Sequence, residues 1–389
     1  MMKNLKFSAL FLMIVMILSC THNPKVKELK KIPEVISIAP VIPFADDQAS
    51  FISGMPNGKS ECFAKLDSSI KWKRYSRELD SMFSKTNSFR IEKMKVWADS
   101  ELIRNQNIKT VFYPFSGPDF LNANIFYPDA DQYIMIAMEP IGYIPDLCKM
   151  RTDSVFTYLN TINNSLKDIF KRSYFITAKM SSDLRKTKVN GTIPLISLFI
   201  KRTGHQLVSI QRIGVDSLGK WQLIDSMKNE KNIVQGIKVD FLSLSKKKTQ
   251  SVFYFRTDIS DIGLAKTPGF RIYLAGLPKS YSYLKAASYL MHSDNFKIIR
   301  NTIFDVSATI LQDDSGIAYR FFDKQKWDIR LYGIYLKPRD EFSYIKEPGL
   351  QKAYNTEVIK PLPYTLGYNW GVGHSNLLYA IRKSVIAKK

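Results

Sequence analysis

The strongest constraint on this chain is the stretch from Thr110 to Pro140, TVFYPFSGPDFLNANIFYPDADQYIMIAMEP, where two apolar runs flank a polar turn. Val111-Phe112-Tyr113 leads into Ser116-Gly117-Pro118-Asp119, a helix-compatible segment follows, and Tyr133 to Met138 forms the second run. Ser-Gly favours a turn, proline suits a first helical position, and an aspartate in the first turn complements the helix dipole. The 116–132 connection is long enough for a helical crossover, so the pattern predicts one βαβ unit over 110–140 with parallel strands. Parallel pairing would bring the Ser116-to-Asp119 turn and Glu139 to the same carboxyl edge, where α/β proteins bind ligands. The structural alternatives are Ser116 as a helix cap, Asp119 as a dipole partner and Glu139 as a surface residue.

The flanking patterns set the rest of the expected fold. Lys71 to Gln106 reads as two helices broken at Thr86-Asn87-Ser88, with Ser88 as cap and Glu92 near the capping-box position. Residues 152–172 carry one apolar stripe (Val155, Leu159, Ile162, Leu166, Ile169), which predicts an amphipathic helix. The segments 192–202, 206–214, 220–224, 236–244 and 251–259 read as an antiparallel meander, with Lys246-Lys247-Lys248 as an exposed hairpin loop guarding an edge. Helix is expected again from Ser280 to about Leu311, strands around Gly316–Phe322 and Trp327–Pro338, and a last helix from Ser375 to Ser384. The fold class is therefore α/β or α+β, with a mixed, largely antiparallel sheet, peripheral helices and the one βαβ unit. A heavy aromatic load of 24 Phe and 20 Tyr fits such packed faces.

Residues 1–19 have the parts of an export signal: Lys3 and Lys6, then an apolar core from Phe7 to Leu18 that is shorter than the ~20 residues of a membrane span. The core ends in Ile17-Leu18-Ser19-Cys20, which resembles the lipobox of bacterial lipoproteins, with Ile and Leu in place of the commoner Leu and Ala or Ser. The resemblance implies cleavage before Cys20 and acylation of that cysteine. Two or three chains at ~0.8 kcal/mol per buried methylene would then anchor the protein stably, most readily in an outer membrane. Residues 20–60, punctuated by prolines, read as lipidated terminus and tether, and 61–389 as a single globular body with a subdivision near 185 as the alternative. In an oxidising envelope Cys62 and Cys148 either pair as a disulfide or remain two buried thiols. The segments FYPFSGPDFL, EPIGYIPDL and QDDSGI resemble parts of an uncharacterised group of bacterial lipoproteins, a resemblance that implies no activity but directs attention to those turns.

The formal charge of +22 favours acidic partners: lipid headgroups, an acidic glycan or an envelope protein. Lysines and arginines are scattered and no nucleic-acid motif accompanies them, which argues against nucleic acid. Asp313 and Asp314, in Gln312-Asp313-Asp314-Ser315-Gly316, are the best paired carboxylates, and His374 is the histidine best placed to serve them. A hydrolase site can be drawn from Ser116 or Ser315, Asp119, Glu139, Asp313 or Asp314 and His374. Against it stand a plain turn role for Asp313-Asp314 and the lack of any GxSxG, HExxH or phosphate-loop signature. No metal or cofactor is expected. The first reading is a binding or assembly role at a membrane surface; the alternative is a periplasmic hydrolase.

Overall fold

A computed structural model describes residues 43–56, 60–175, 189–224, 233–338, 340–371 and 374–386. The signal segment, Cys20, most of the tether and the boundary expected near 185 lie outside these residues. Ala39–Lys389 forms one compact unit.

Helices come first: α1 (Pro43–Ile52), α2 (Glu61–Asp67), α3 (Ile70–Thr86) and α4 (Glu92–Glu101). Ser69 caps α3 by accepting from the Trp72 amide at 3.2 Å, and Trp72, Tyr75 and Leu79 bury the face their spacing predicts. The break expected at Thr86-Asn87-Ser88 is absent. Asn87–Ile91 continues as a π-turn into α4, and the Ser88 hydroxyl donates back to the Ser84 and Lys85 carbonyls instead of capping.

The βαβ unit follows: β1 (Thr110–Pro114), α5 (Phe120–Phe126) and β2 (Gln132–Ala137), with Val111 opposite Tyr133 in parallel register. Asp119 is the cap of α5, accepting from the Asn122 amide at 3.3 Å, so the helix starts two residues later than Pro118 suggests. Cys62 and Cys148 are bonded, tying α2 to the turn after β2 across 86 residues of sequence. Closing a loop of that length removes roughly 4–5 kcal/mol of unfolded-chain entropy in the simple loop model.

Beyond the expected α6 (Thr152–Arg172), the run 192–202 is helix α7 (Ile193–Arg202), not a strand. Ile193 to Ile200 are all buried, and an apolar run broken only by the buried Ser197 carries no period to separate the two states. Pro194 at its start and Lys201-Arg202 at its end are helix-terminus residues. The meander is present as β3 (His205–Val215), β4 (Trp221–Leu223), β5 (Val234–Ser243) and β6 (Lys248–Arg256), all paired antiparallel. The β5–β6 hairpin lies inside the sheet, and Lys246 and Lys248 form ion pairs with Asp129 and Asp131 instead of guarding an edge.

Helices α8 (Asp261–Lys266) and α9 (Pro268–Ala275) precede the segment where expectation fails most. Ser280–Leu311 is not one helix but β7 (Ser280–Leu284), α10 (Lys297–Val306) and β8 (Ser307–Gln312). After β9 (Trp327–Gly333), α11 (Pro348–Thr356) and β10 (Ile359–Lys360), the segment expected as the last helix is β11 (Asn376–Arg382), with only the short α12 (Lys383–Ile386) behind it. Every residue of β8 and all but the last of β11 are buried, so neither strand has the exposed polar face that marks a half-buried one.

Among the described residues the sheet has eleven strands in the order β10-β9-β11-β8-β7-β1-β2-β6-β5-β3-β4. It is a mixed α/β sheet, with its longest ladders antiparallel on the flanks. At the centre β8, β7, β1, β2 and β6 run parallel. Side chains alternate across it: Val111 and Tyr113 face a core shared with α3 to α7, while Phe112, Ile134 and Ile136 face a second core under α8 to α11. Helices thus cover both faces of the sheet.

Candidate functional site

Five parallel strands deliver five turns to one rim. Ser116–Asp119 follows β1, Glu139 follows β2, Thr257-Asp258 follows β6, Lys285 to Tyr289 follows β7, and Asp313–Gly316 follows β8. Antiparallel β11 begins there too, adding Ser375 and Asn376. The expected juxtaposition of the two polar turns therefore exists, and Lys285-Ala286 joins them. Lys285 Nζ lies 2.5 Å from Asp119 Oδ2, and the next amide, Ala286 N–H, donates to Asp313 Oδ2 at 2.9 Å.

Asp119 is 1% exposed and surrounded by donors. Tyr113 Oη–H and Asn122 Nδ2 reach it at 3.0 Å each, and the Lys285 ammonium also donates to the Ser173 carbonyl. Burial pushes the Lys285 amine down, an effect the Asp119 carboxylate opposes. Burial and the same carboxylate push the Tyr113 phenol far up, so it remains a donor. Nearby Arg90, also buried, is pushed down to about 10 by desolvation and donates to the Ile169 carbonyl at 2.9 Å.

Asp313 and Asp314 are equally hidden, at 1% and 5% exposure. Asp313 accepts from Ala286 N–H and from the Ser315 amide and hydroxyl; Asp314 accepts from Tyr289 Oη–H at 2.6 Å and Asn376 Nδ2 at 3.0 Å. Gly367, at φ 68°, leaves no room for a Cβ beside Asp313. Desolvation, then the neighbouring Asp314, raises the Asp313 carboxyl to about 7, and desolvation raises Asp314 as well.

A cleft of about 450 Å³ opens on this rim between the turns after β1, β2, β6 and β7. Phe115, Ile136, Met138, Ile259 and Phe296 give it an apolar lining, with Glu139 and Asp258 as its carboxylates. Its volume lies in the range of small-ligand sites. A small cavity of about 30 Å³ adjoins it, sharing Phe115, Gly117, Glu139 and Ala286, and reaches inward to Asp119 and Lys285. The backbone around the cleft is held in unusual conformations: Phe115, Ala286, Ser288 and Tyr289 all have positive φ, between 51° and 61°. Non-glycine residues in that region cost of order 1–3 kcal/mol each and cluster at functional sites.

The candidates from the sequence separate accordingly. Ser116, Asp119, Glu139, Asp313, Asp314 and Ser315 all come to the rim, and all are buried. The Ser116 hydroxyl donates to the Gly117 carbonyl at 2.9 Å. His374 does not join them: its side chain is exposed and makes no hydrogen bond or ion pair with these groups. Lys285, Tyr289 and Asn376 were missed because their segments read as helix; a lysine directly after the aromatic run Tyr281–Leu284 is the signal that a strand reading would have used. No group of three or more His, Cys, Asp or Glu with metal-holding geometry occurs among the described residues. No helix among them is long and apolar enough to cross a membrane. No protein-family model matches the chain, and no curated protein and no solved structure is significantly similar to it.

Proposed function

We propose that this is an exported, lipid-anchored envelope protein that binds a small ligand with an apolar body in the cleft at the carboxyl rim of its parallel strands. The observation that carries the reading is the cleft itself: an apolar-lined space bounded by strained backbone, at the rim where α/β sheets take ligands. The Ile17-to-Cys20 pattern supports the anchor, which acylated Cys20 at the mature terminus, read by mass spectrometry, would establish. Binding is favoured over hydrolysis because Asp119, Asp313, Asp314 and the Ser116 hydroxyl are buried and engaged by neighbouring groups, while His374 is exposed.

The test uses the chain from residue 21 and a neutral fluorescent naphthylamine as the probe. Saturable binding is expected, with its loss in Thr257→Trp, which fills the cleft from a half-buried wall position, at an unchanged unfolding midpoint. Absence of saturable binding, or equal affinity in the variant, overturns the reading.

A further inference from the structure

Helices α3 and α4 with the π-turn between them form one continuous helical run over 70–101, one side of which is buried through Trp72, Tyr75, Leu79, Met94 and Trp97. The opposite side carries a stripe at steps of three and four. Its cations are Arg74, Arg77, Lys85 and Lys93, every one exposed and without an acidic partner among the described residues. In line with them stand Ile70, Phe89 and Val96, exposed at 79%, 52% and 71%. Ser81 and Ser100 complete the stripe, which contains no acid.

The acids of the same helices are turned elsewhere. Asp80 pairs with Arg202 at 2.6 Å, Asp99 with Arg104 at 2.6 Å, and Glu78 accepts from Asn163 at 2.8 Å. Glu92 is held by Asn87. Carboxylates are thus drawn toward partners beside the stripe while the cations project outward. A single exposed apolar residue is ordinary. Three of them aligned with four unpaired cations over roughly 40 Å, at ~1.5 Å per residue, are the pattern of a helix lying in a lipid interface.

We infer that this face docks the body on an anionic membrane surface, the cations meeting headgroups and Ile70, Phe89 and Val96 entering the acyl boundary. Charge complementarity selects that partner, and the apolar residues separate it from a soluble polyanion, which has no use for them. The stripe is left uncovered by α1, the first helix described, which packs on the other side of α3 through Trp72 Nε1–H to the Phe51 carbonyl at 3.2 Å and the Ser76 hydroxyl to the Gly54 carbonyl at 2.6 Å. The docking does not require an acyl anchor.

The test therefore uses residues 21–389, which lack Cys20 and retain the whole compact unit. It is sedimented with phosphatidylcholine vesicles, with and without phosphatidylglycerol. Association with the anionic vesicles alone is expected. Arg74→Glu/Lys85→Glu/Lys93→Glu should weaken it at least roughly tenfold, since each cation near an anionic surface contributes about a factor of five. Phe89→Ser/Val96→Ser should weaken it severalfold, with both variants keeping the parental unfolding midpoint. A control triple of equal charge change on other surfaces, Lys266→Glu/Arg271→Glu/Lys352→Glu, should retain most of the binding. Equal loss in the control triple would reduce the effect to net charge and overturn the proposal. So would undiminished vesicle binding by the serine variant together with equally tight binding to heparin, which would assign the stripe to an acidic glycan.

Discussion

Asp119 and Asp313 share most of their circumstances: each follows a central parallel strand, each is 1% exposed, and each accepts several hydrogen bonds at the same rim. They differ in one respect. Asp119 faces the ammonium of Lys285, whereas Asp313 faces neutral donors and a second carboxyl. A charge taken out of water is retained where an opposite charge meets it; without one, the group gives up the charge. The β1 turn is thus built around an ion pair, and the β8 turn around two carboxyls that burial makes hold their protons more tightly than a free aspartate does.

The largest expected effect breaks the first half of this contrast. Lys285→Met strands the Asp119 carboxylate in the interior and should cost about 3–5 kcal/mol of stability, measured by denaturant unfolding. Adding Asp119→Asn should recover much of that loss in a double-mutant cycle. Independent, small effects of the two substitutions would mean that the pair does not hold the rim together.

The second half is read from pH. The folded-state carboxyl of Asp313 lies above its ordinary value, so the folded protein holds the proton more tightly than the unfolded chain. That stabilisation is complete below the ordinary carboxylate range and is lost as pH rises through about 7. Asp313→Asn should flatten this decline in melting temperature between about pH 4 and 7. His205 contributes the opposite slope: burial lowers it to about 4, so its share of stability is lost as pH falls from 6.5 toward that value. Comparison of the variant with the parent separates the two, and parallel curves would refute the assignment to Asp313. The smallest expected effect is Tyr289→Phe, which removes the 2.6 Å bond to Asp314 and should cost about 1–2 kcal/mol.

The legible parts of the fold were those whose polar and apolar positions alternate with a period. The β3–β6 meander and α6 carry one, whereas the βαβ unit was legible from its two apolar runs on either side of a polar turn, which also told which rim that turn would occupy. The illegible parts are buried on every side. In α7, β8 and β11 nearly every residue is buried, polar ones such as Ser197, Thr309 and Asn376 included, so polarity marks no exposed face and helix and strand differ only in how the rest of the molecule covers them. Reading 280–311 as helix hid the two strands that bring Lys285 and Asp313 to the rim, so half the buried network was invisible although Asp119, Asp313 and Asp314 had been singled out.

Local chemistry in the sequence alone determined the polar turns after apolar runs and the alternation of the outer strands, and it alone raises the expectation of export and acylation at Cys20. These depend on residues near one another in the chain. Tertiary structure alone decided that Lys285 makes its ion pair with Asp119 and not with Asp313, because the pairing of charges 166 residues apart depends on strand order. It also decided that the stretch at 110–140 contributes a buried cluster of ionic and hydrogen bonds beneath a cleft. The same turn on an edge strand would have left Asp119 in water, where no partner is needed.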